Sequence, residues 1–266
     1  MFGRADRRQR RPLLAWLGFF LMTLSFVWLQ LLPPRPRPQL APAVSGTNEP
    51  IVLVILDPGH GGLDSGTMKA GILEKELALD VAHRAERLLQ THGFATLLTR
   101  ADDTYVSLAG RAAIANEQRD CVFISIHFDD AARPAATGVE TYYAAHQISA
   151  KPAGVLSWLP FLQRTSFEPP NTESQSLASS IQDALVTHTQ AFDRGTRPQQ
   201  FFVIANVHHP AVLVEGGFLT NAEEVSKLAT SDYREQIAAA IADGVVRYRE
   251  NLRERRTPPA VSLPGG

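Results

Sequence analysis

Apolar and polar positions follow two periods along this chain, and the switches between them mark its elements. Residues 51–56 are a continuous apolar run of strand length, the pattern of a strand covered on both faces. Residues 74–92 follow the 3.6-residue period of a helix, closed by His92-Gly93. Residues 94–99 read as a second strand, and 107–118 as a short helix with Ser107 at its N-cap. Strands are then expected at 121–126, 139–143, 201–204 and 211–214, with helices at 173–189 and 232–251. This alternation predicts an α/β fold: a single layered domain over residues 51–253 with a mainly parallel central sheet flanked by helices. In such sheets, sites gather outside the carboxyl ends of the strands.

The chain ahead of this domain has a different pattern. Residues 1–12 carry five arginines and no lysine, and residues 13–32 carry no charge. That uncharged run matches the roughly 20 residues a helix needs to cross a bilayer, and it exceeds the usual signal-peptide core. Trp16 and Trp28 stand near its two ends. The arginines should stay in the cytoplasm and send the rest outside. A retained signal anchor is expected, with a cleaved signal peptide as the rival. The localisation that follows is the cell envelope, at the extracytoplasmic (periplasmic) face of the inner membrane. Residues 33–50 are proline-rich and read as an extended linker, and residues 254–266 as a disordered tail. A net charge of −1 gives no basic footprint for nucleic acid. The single cysteine, Cys121, rules out an intramolecular disulfide and a cysteine zinc site.

Chemistry concentrates where strands end. Leu56 is followed by Asp57-Pro58-Gly59-His60-Gly61-Gly62, Ile126 by His127, and Val214 by Glu215. Any one such residue is ordinarily a surface group, but three on parallel strands would meet at one edge of the sheet. Glu74 heads the helical stripe Leu77, Ala78, Val81, Ala85 and Leu88, which must pack inward. A carboxylate there needs a partner, and a metal is one such partner. Glu76 lines up instead with Asp80, His83, Arg87 and Gln90, a solvated face. Two imidazoles and a carboxylate form a catalytic zinc shell with an open position. A nearby free carboxylate, for which Glu215 is suited, can act as general base and then as acid.

The stretches ILDPGHGGLDSG, GILEKELALDVA, the Leu98-Thr99-Arg100 strand end, GRAAIAN, FISIHFD, GVETYY and RGTRPQQFFVIANVHHPAVLVEGGFLTN stand in this order along the chain. Together they resemble the zinc-dependent N-acetylmuramoyl-L-alanine amidases of the AmiA/AmiB/AmiC and CwlV type, amidase type 3, over about residues 51–248. The resemblance implies peptidoglycan as substrate, Zn2+ as cofactor, His60, Glu74 and His127 as metal ligands, and Glu215 as catalytic acid/base. Arg111, Asn116 and Asn221 fall on other motif positions and read as supports. Phe128 and Asp129 depart from the family pattern, which has a small residue and then Asn after the second histidine. Residues 144–172 form a long connection with an apolar cluster; some relatives carry a regulatory helix in the corresponding region, so an activator protein acting there is a candidate partner. Asp64 is expected to support His60, Tyr142 and Tyr143 to be sheet residues, and His208-His209-Pro210 to form a turn. The rival readings are a zinc peptidase acting within the stem peptide and a non-catalytic peptidoglycan-binding module.

The helical phase separates two neighbouring glutamates. Glu74→Ala is expected to lose bound zinc and most activity. Glu76→Ala should keep both and change stability by no more than about 0.5 kcal/mol, as at an ordinary surface site. Zinc content of the two purified variants decides between them, and the reverse result would require a rotated helix.

Overall fold

The computed structural model describes residues 51, 53–129, 135–147 and 171–256. The expected membrane segment and linker, most of the 144–172 connection and the tail from residue 257 lie outside these. Among the described residues no helix is long and apolar enough to cross a membrane.

In chain order the elements are β1 (Leu53–Pro58), β2 (Met68–Lys69), β3 (Ile72–Leu73), α1 (Glu74–Thr91), β4 (Ala95–Leu98), α2 (Leu108–Asn116), β5 (Cys121–Asp129) and β6 (Val139–Tyr143). They continue with α3 (Thr172–Thr189), β7 (Asp193–Pro198), α4 (Phe202–Ala205), β8 (Ala211–Phe218), α5 (Ala222–Leu228) and α6 (Ser231–Arg256). The central sheet has the order β4-β1-β5-β8-β6-β7. The first four strands run parallel, β6 is antiparallel to β8, and β7 is parallel to β6. The sheet is thus mainly parallel, as the alternating pattern predicts.

The continuous apolar runs of β1 and β5 are explained by burial on both faces. Val54, Leu56, Val122, Ile124 and Ile126 join a core with the inner faces of α1, α3 and α6. Leu53, Ile55, Cys121 and Phe123 join a second core with residues of α2 and α4. In α1 the stripe Glu74, Leu77, Ala78, Val81, Ala82, Ala85 and Leu89 is buried, whereas Glu76 is exposed. Asp80, expected in water, is instead bridged to Arg84 and to Arg234 of α6. The Ser107 hydroxyl accepts from the Gly110 amide and caps α2 as expected.

The strand expected at 201–204 is a correction. That run forms the one-turn helix α4, in which Val203, Ile204 and Ala205 are buried while Phe201 and Phe202 are exposed. A short apolar run fits a buried helix turn as well as a strand. The edge position is taken by β7, whose sequence DRGTRP has no apolar alternation to announce it. The last helix also runs to Arg256, past the domain end expected at 253.

Candidate metal centre and active site

The strand order puts β1, β5 and β8 side by side and parallel, so their carboxyl ends share one edge. The strands run further than expected, and His127 and Glu215 lie within β5 and β8 as register partners. Glu215 is also the register partner of Glu140 in β6. Residues directly opposite one another project from the same face. His127, Glu215 and Glu140 therefore form a row across three neighbouring strands, on the face covered lower down by α2 and α4.

Glu74 enters this edge from the first turn of α1. Its Oε1 lies 3.0 Å from His60 Nε2 and 2.9 Å from His127 Nδ1. One potential ligand atom from each of the three residues falls within 4.8 Å of the others. The two contacts are close to the ligand-to-ligand spacing of about 3.3 Å around a tetrahedral zinc with bonds near 2.0–2.1 Å. The donor set, two imidazole nitrogens and one carboxylate oxygen, fits a catalytic zinc. The Phe128 amide donates to Glu74 Oε1 at 3.2 Å, and the Thr67 amide to Oε2 at 2.9 Å. Burial opposes ionisation of Glu74, but the hydrogen bonds and charges of His127 and His60 prevail and hold its pKa well below the usual carboxylate range. Two glycines make the approach sterically feasible. A Cβ on Gly59 would overlap the His127 ring, and one on Gly66, whose φ is +62°, would overlap Glu74 and His60.

His60 has a left-handed backbone, φ 59°, which is uncommon for a residue with a side chain and needs fixing by its surroundings. Two buried arginines fix it. Arg111 donates to the Pro58 carbonyl (2.6 Å), the His60 carbonyl (2.5 Å) and Asp57 Oδ1 (2.7 Å). Arg100 donates to the carbonyls of Pro58 (2.9 Å), Gly59 (2.6 Å) and Lys75 (2.8 Å). Asp57 is completed by the hydroxyls of Thr99 and Ser125. Asp64 Oδ1 lies 3.0 Å from His60 Nδ1 and also accepts from the Gly66 amide. Arg100 thus ties the loop that carries His60 to the helix turn that carries Glu74. The sequence marks Arg100 only as the end of the matching stretch Leu98-Thr99-Arg100, without indicating this role.

Glu215 is 8% exposed, and among the described residues its Oε2 has no hydrogen-bond partner. Burial raises its pKa well above the ordinary value, and the charges of Glu74, Asp129 and Glu140 add to that. A carboxyl in this environment takes up a proton readily, which general acid/base catalysis requires.

The remaining residues have structural places. Asn116 braces the turn before β8 by donating to the Asn206 carbonyl and accepting from the His208 amide. Asn221 caps α5. His208 and His209 precede β8, at the end of that strand opposite Glu215. The Tyr142 ring meets Phe201 edge-on. Phe128 is fully buried and packs over Gly216, which explains how a large residue follows His127. Glu140 with its arginine partners, and the frame of Asp57 and Arg100, were not singled out from the sequence.

A layered α/β sheet that gathers two imidazoles and two carboxylates at the ends of adjacent parallel strands has the makings of a metal-dependent hydrolase. The sequence profile of the N-acetylmuramoyl-L-alanine amidase family matches residues 54–247, and the chain belongs to that family. The chain is 33% identical to the amidase AmiA of Escherichia coli over 220 residues, covering 74% of this chain and 75% of AmiA. It is 36% identical to the amidase LytC of Bacillus subtilis over 195 residues, which covers 73% of this chain and about a third (35%) of LytC. Its fold matches the catalytic domain of CwlV from Bacillus (Paenibacillus) polymyxa var. colistinus with a TM-score of 0.62 at 32% identity, over 75% of this chain and 99% of that one.

Arg100→Gln removes the tie between the two ligand-bearing segments. Loss of such an outer support typically weakens metal affinity by about 10- to 100-fold. Competition between the metal-free protein and a chromophoric chelator for added Zn2+ measures it, at a temperature where both proteins remain folded. Unchanged affinity would show that Arg100 serves the fold alone.

Proposed function

We propose that the chain is a zinc-dependent peptidoglycan amidase that hydrolyses the amide between N-acetylmuramic acid and L-alanine of the stem peptide. Family membership supports the reaction. The single observation that carries the mechanism is the buried, proton-avid Glu215 one strand away from His127 in a row with the His60/Glu74/His127 cluster. His60, Glu74 and His127 would hold the metal through the three atoms that already converge. Zinc in that position supplies a Lewis acid for the amide carbonyl and makes a water molecule more acidic. Glu215 takes the proton of the attacking water and delivers it to the L-alanine nitrogen as the carbon–nitrogen bond breaks. Asp57, Arg100 and Arg111 keep His60 in its strained backbone, so the ligand cluster needs little rearrangement.

Zinc-loaded protein is expected to release L-alanine-terminated peptides and muramic acid with a free lactyl carboxyl, and to stop when the metal is chelated. Cuts further along the stem would mean a peptidase, and full activity in metal-free protein would remove zinc from the mechanism. Glu215→Gln should keep the metal and lose about 10²–10⁴-fold in turnover. Loss of the metal from that variant would instead make Glu215 a ligand.

The same reading places the domain outside the cytoplasmic membrane, held by residues 13–32 through the proline-rich linker. Fractionation is expected to recover the protein with the inner membrane. A soluble periplasmic form starting near residue 44 would identify the segment as a cleaved signal.

A further inference from the structure

The row of His127, Glu215 and Glu140 continues outward onto the edge strand. Glu140 is 1% exposed, and two arginines of β7 converge on it. Arg194 Nε lies 3.2 Å from Glu140 Oε2, and Arg197 Nε pairs with Oε1. The Arg194 guanidinium also stacks on the Phe218 ring, 4.7 Å from its centroid. Among the described residues neither guanidinium makes another hydrogen bond, so the Nη atoms of both remain available. Arg197 keeps 54% of its side chain exposed and Arg194 25%. One buried carboxylate thus orients two guanidiniums and leaves one positive charge in excess. A partner needed only to neutralise Glu140 would have been a single arginine.

Topology explains why the pair sits beside the catalytic edge. β6 and β7 run opposite to β8, so the beginnings of these strands, not their ends, reach that edge. Glu140 is the second residue of β6 and Arg194 the second of β7. Neighbouring strands are spaced about 4.8 Å apart, which puts β7 about 10 Å from β8 and hence from Glu215. A stem peptide begins with L-alanine followed by a γ-linked glutamate whose α-carboxylate is free. Two extended residues span about 7 Å, and the Arg194 and Arg197 side chains reach back from β7 to Glu140 on the intervening strand to cover the rest. The first carboxylate beyond the scissile amide therefore falls within reach of the guanidiniums when the amide lies at Glu215.

We propose that Arg194 and Arg197, oriented by buried Glu140, form a carboxylate-binding subsite that recognises the free α-carboxylate of the second stem residue. This specificity role rests on the amidase reading above. Arginine is suited to it because its planar fork binds carboxylates through paired, charge-assisted hydrogen bonds.

The test compares zinc-loaded full-length protein on two muramyl dipeptides, one ending in glutamate with a free α-carboxyl group and one with that group amidated. Wild type should favour the free acid by about 10- to 100-fold, as expected for hydrogen bonds to a charged group, and the preference should lie in KM. Arg197→Gln leaves Arg194 to neutralise Glu140 and should lose most of the preference with zinc content kept. The double variant Arg194→Lys/Arg197→Lys keeps both charges near Glu140 but lacks the forks, and should also discriminate poorly. Binding of the two product dipeptides, followed by calorimetry, reads the subsite without turnover. Equal treatment of acid and amide by wild type, or discrimination that survives in both variants, would overturn the proposal. Selective product binding without hydrolysis of either substrate would support the subsite and refute the amidase reading instead.

Discussion

The burial of one carboxylate organises this end of the molecule. Glu74 stands at the head of an apolar helical stripe and is 4% exposed. An ionised group in that position costs several kcal/mol unless it is paired and hydrogen-bonded. Two imidazoles and two backbone amides meet it, and each of these partners has to be held in turn. His127 comes on a strand already committed to the centre of the sheet. His60 comes on a glycine loop with no secondary structure of its own, so Arg100, Arg111 and Asp57 supply the missing rigidity. Removing one partner of the buried Arg111–Asp57 pair would cost about 3–5 kcal/mol, so the support is itself a core element of the fold.

The sheet's change of direction matters as much as its parallel part. Four parallel strands bring His60, His127 and Glu215 to one edge. Had β6 and β7 continued in parallel, their N-terminal ends would lie at the far side of the sheet, away from the His60/Glu74/His127 cluster. Because they reverse, Glu140 and Arg194 sit beside Glu215. A row of charged groups therefore crosses the sheet face from the His60/Glu74/His127 cluster to the edge strand.

Periodicity made the parallel half of this arrangement legible. The strand runs before His60, His127 and Glu215 are long, apolar and covered on both faces, and the phase of α1 placed Glu74 inward and Glu76 outward. The reversed half was not legible for a physical reason. β7 is an edge strand of polar residues with a glycine at φ 79°, so it lacks the alternation that burial imposes. The apolar residues nearby, 201–204, suggested a strand but form a helix turn, from which Val203 and Ile204 fill the second core while Phe201 and Phe202 stay exposed. Arg111 was read as a support from its motif position, but the contacts that Arg100 and Arg111 make were hidden in a different way. Arg100 and Arg111 act through backbone carbonyls that are distant in sequence, and no local spacing encodes a contact with a carbonyl 41 or 51 residues away.

On the proposed mechanism, the charges at the edge also explain why the acid/base role would fall to Glu215 and to no neighbouring carboxylate. Glu74 is fixed by two histidines and would bind the metal, so its affinity for a proton is low. Glu140 faces two guanidiniums. Among the described residues Glu215 forms no ion pair and lies deep in the row, next to the repulsive charges of Glu74, Asp129 and Glu140. Each carboxylate that acquires a counter-charge becomes a fixed anion, a ligand or an anchor. Glu215, without a counter-charge among the described residues, is driven towards the protonated form. On the proposed mechanism, the distribution of cations around the carboxylates, more than any property of one glutamate, would separate ligand, anchor and proton carrier along a single strip of the sheet.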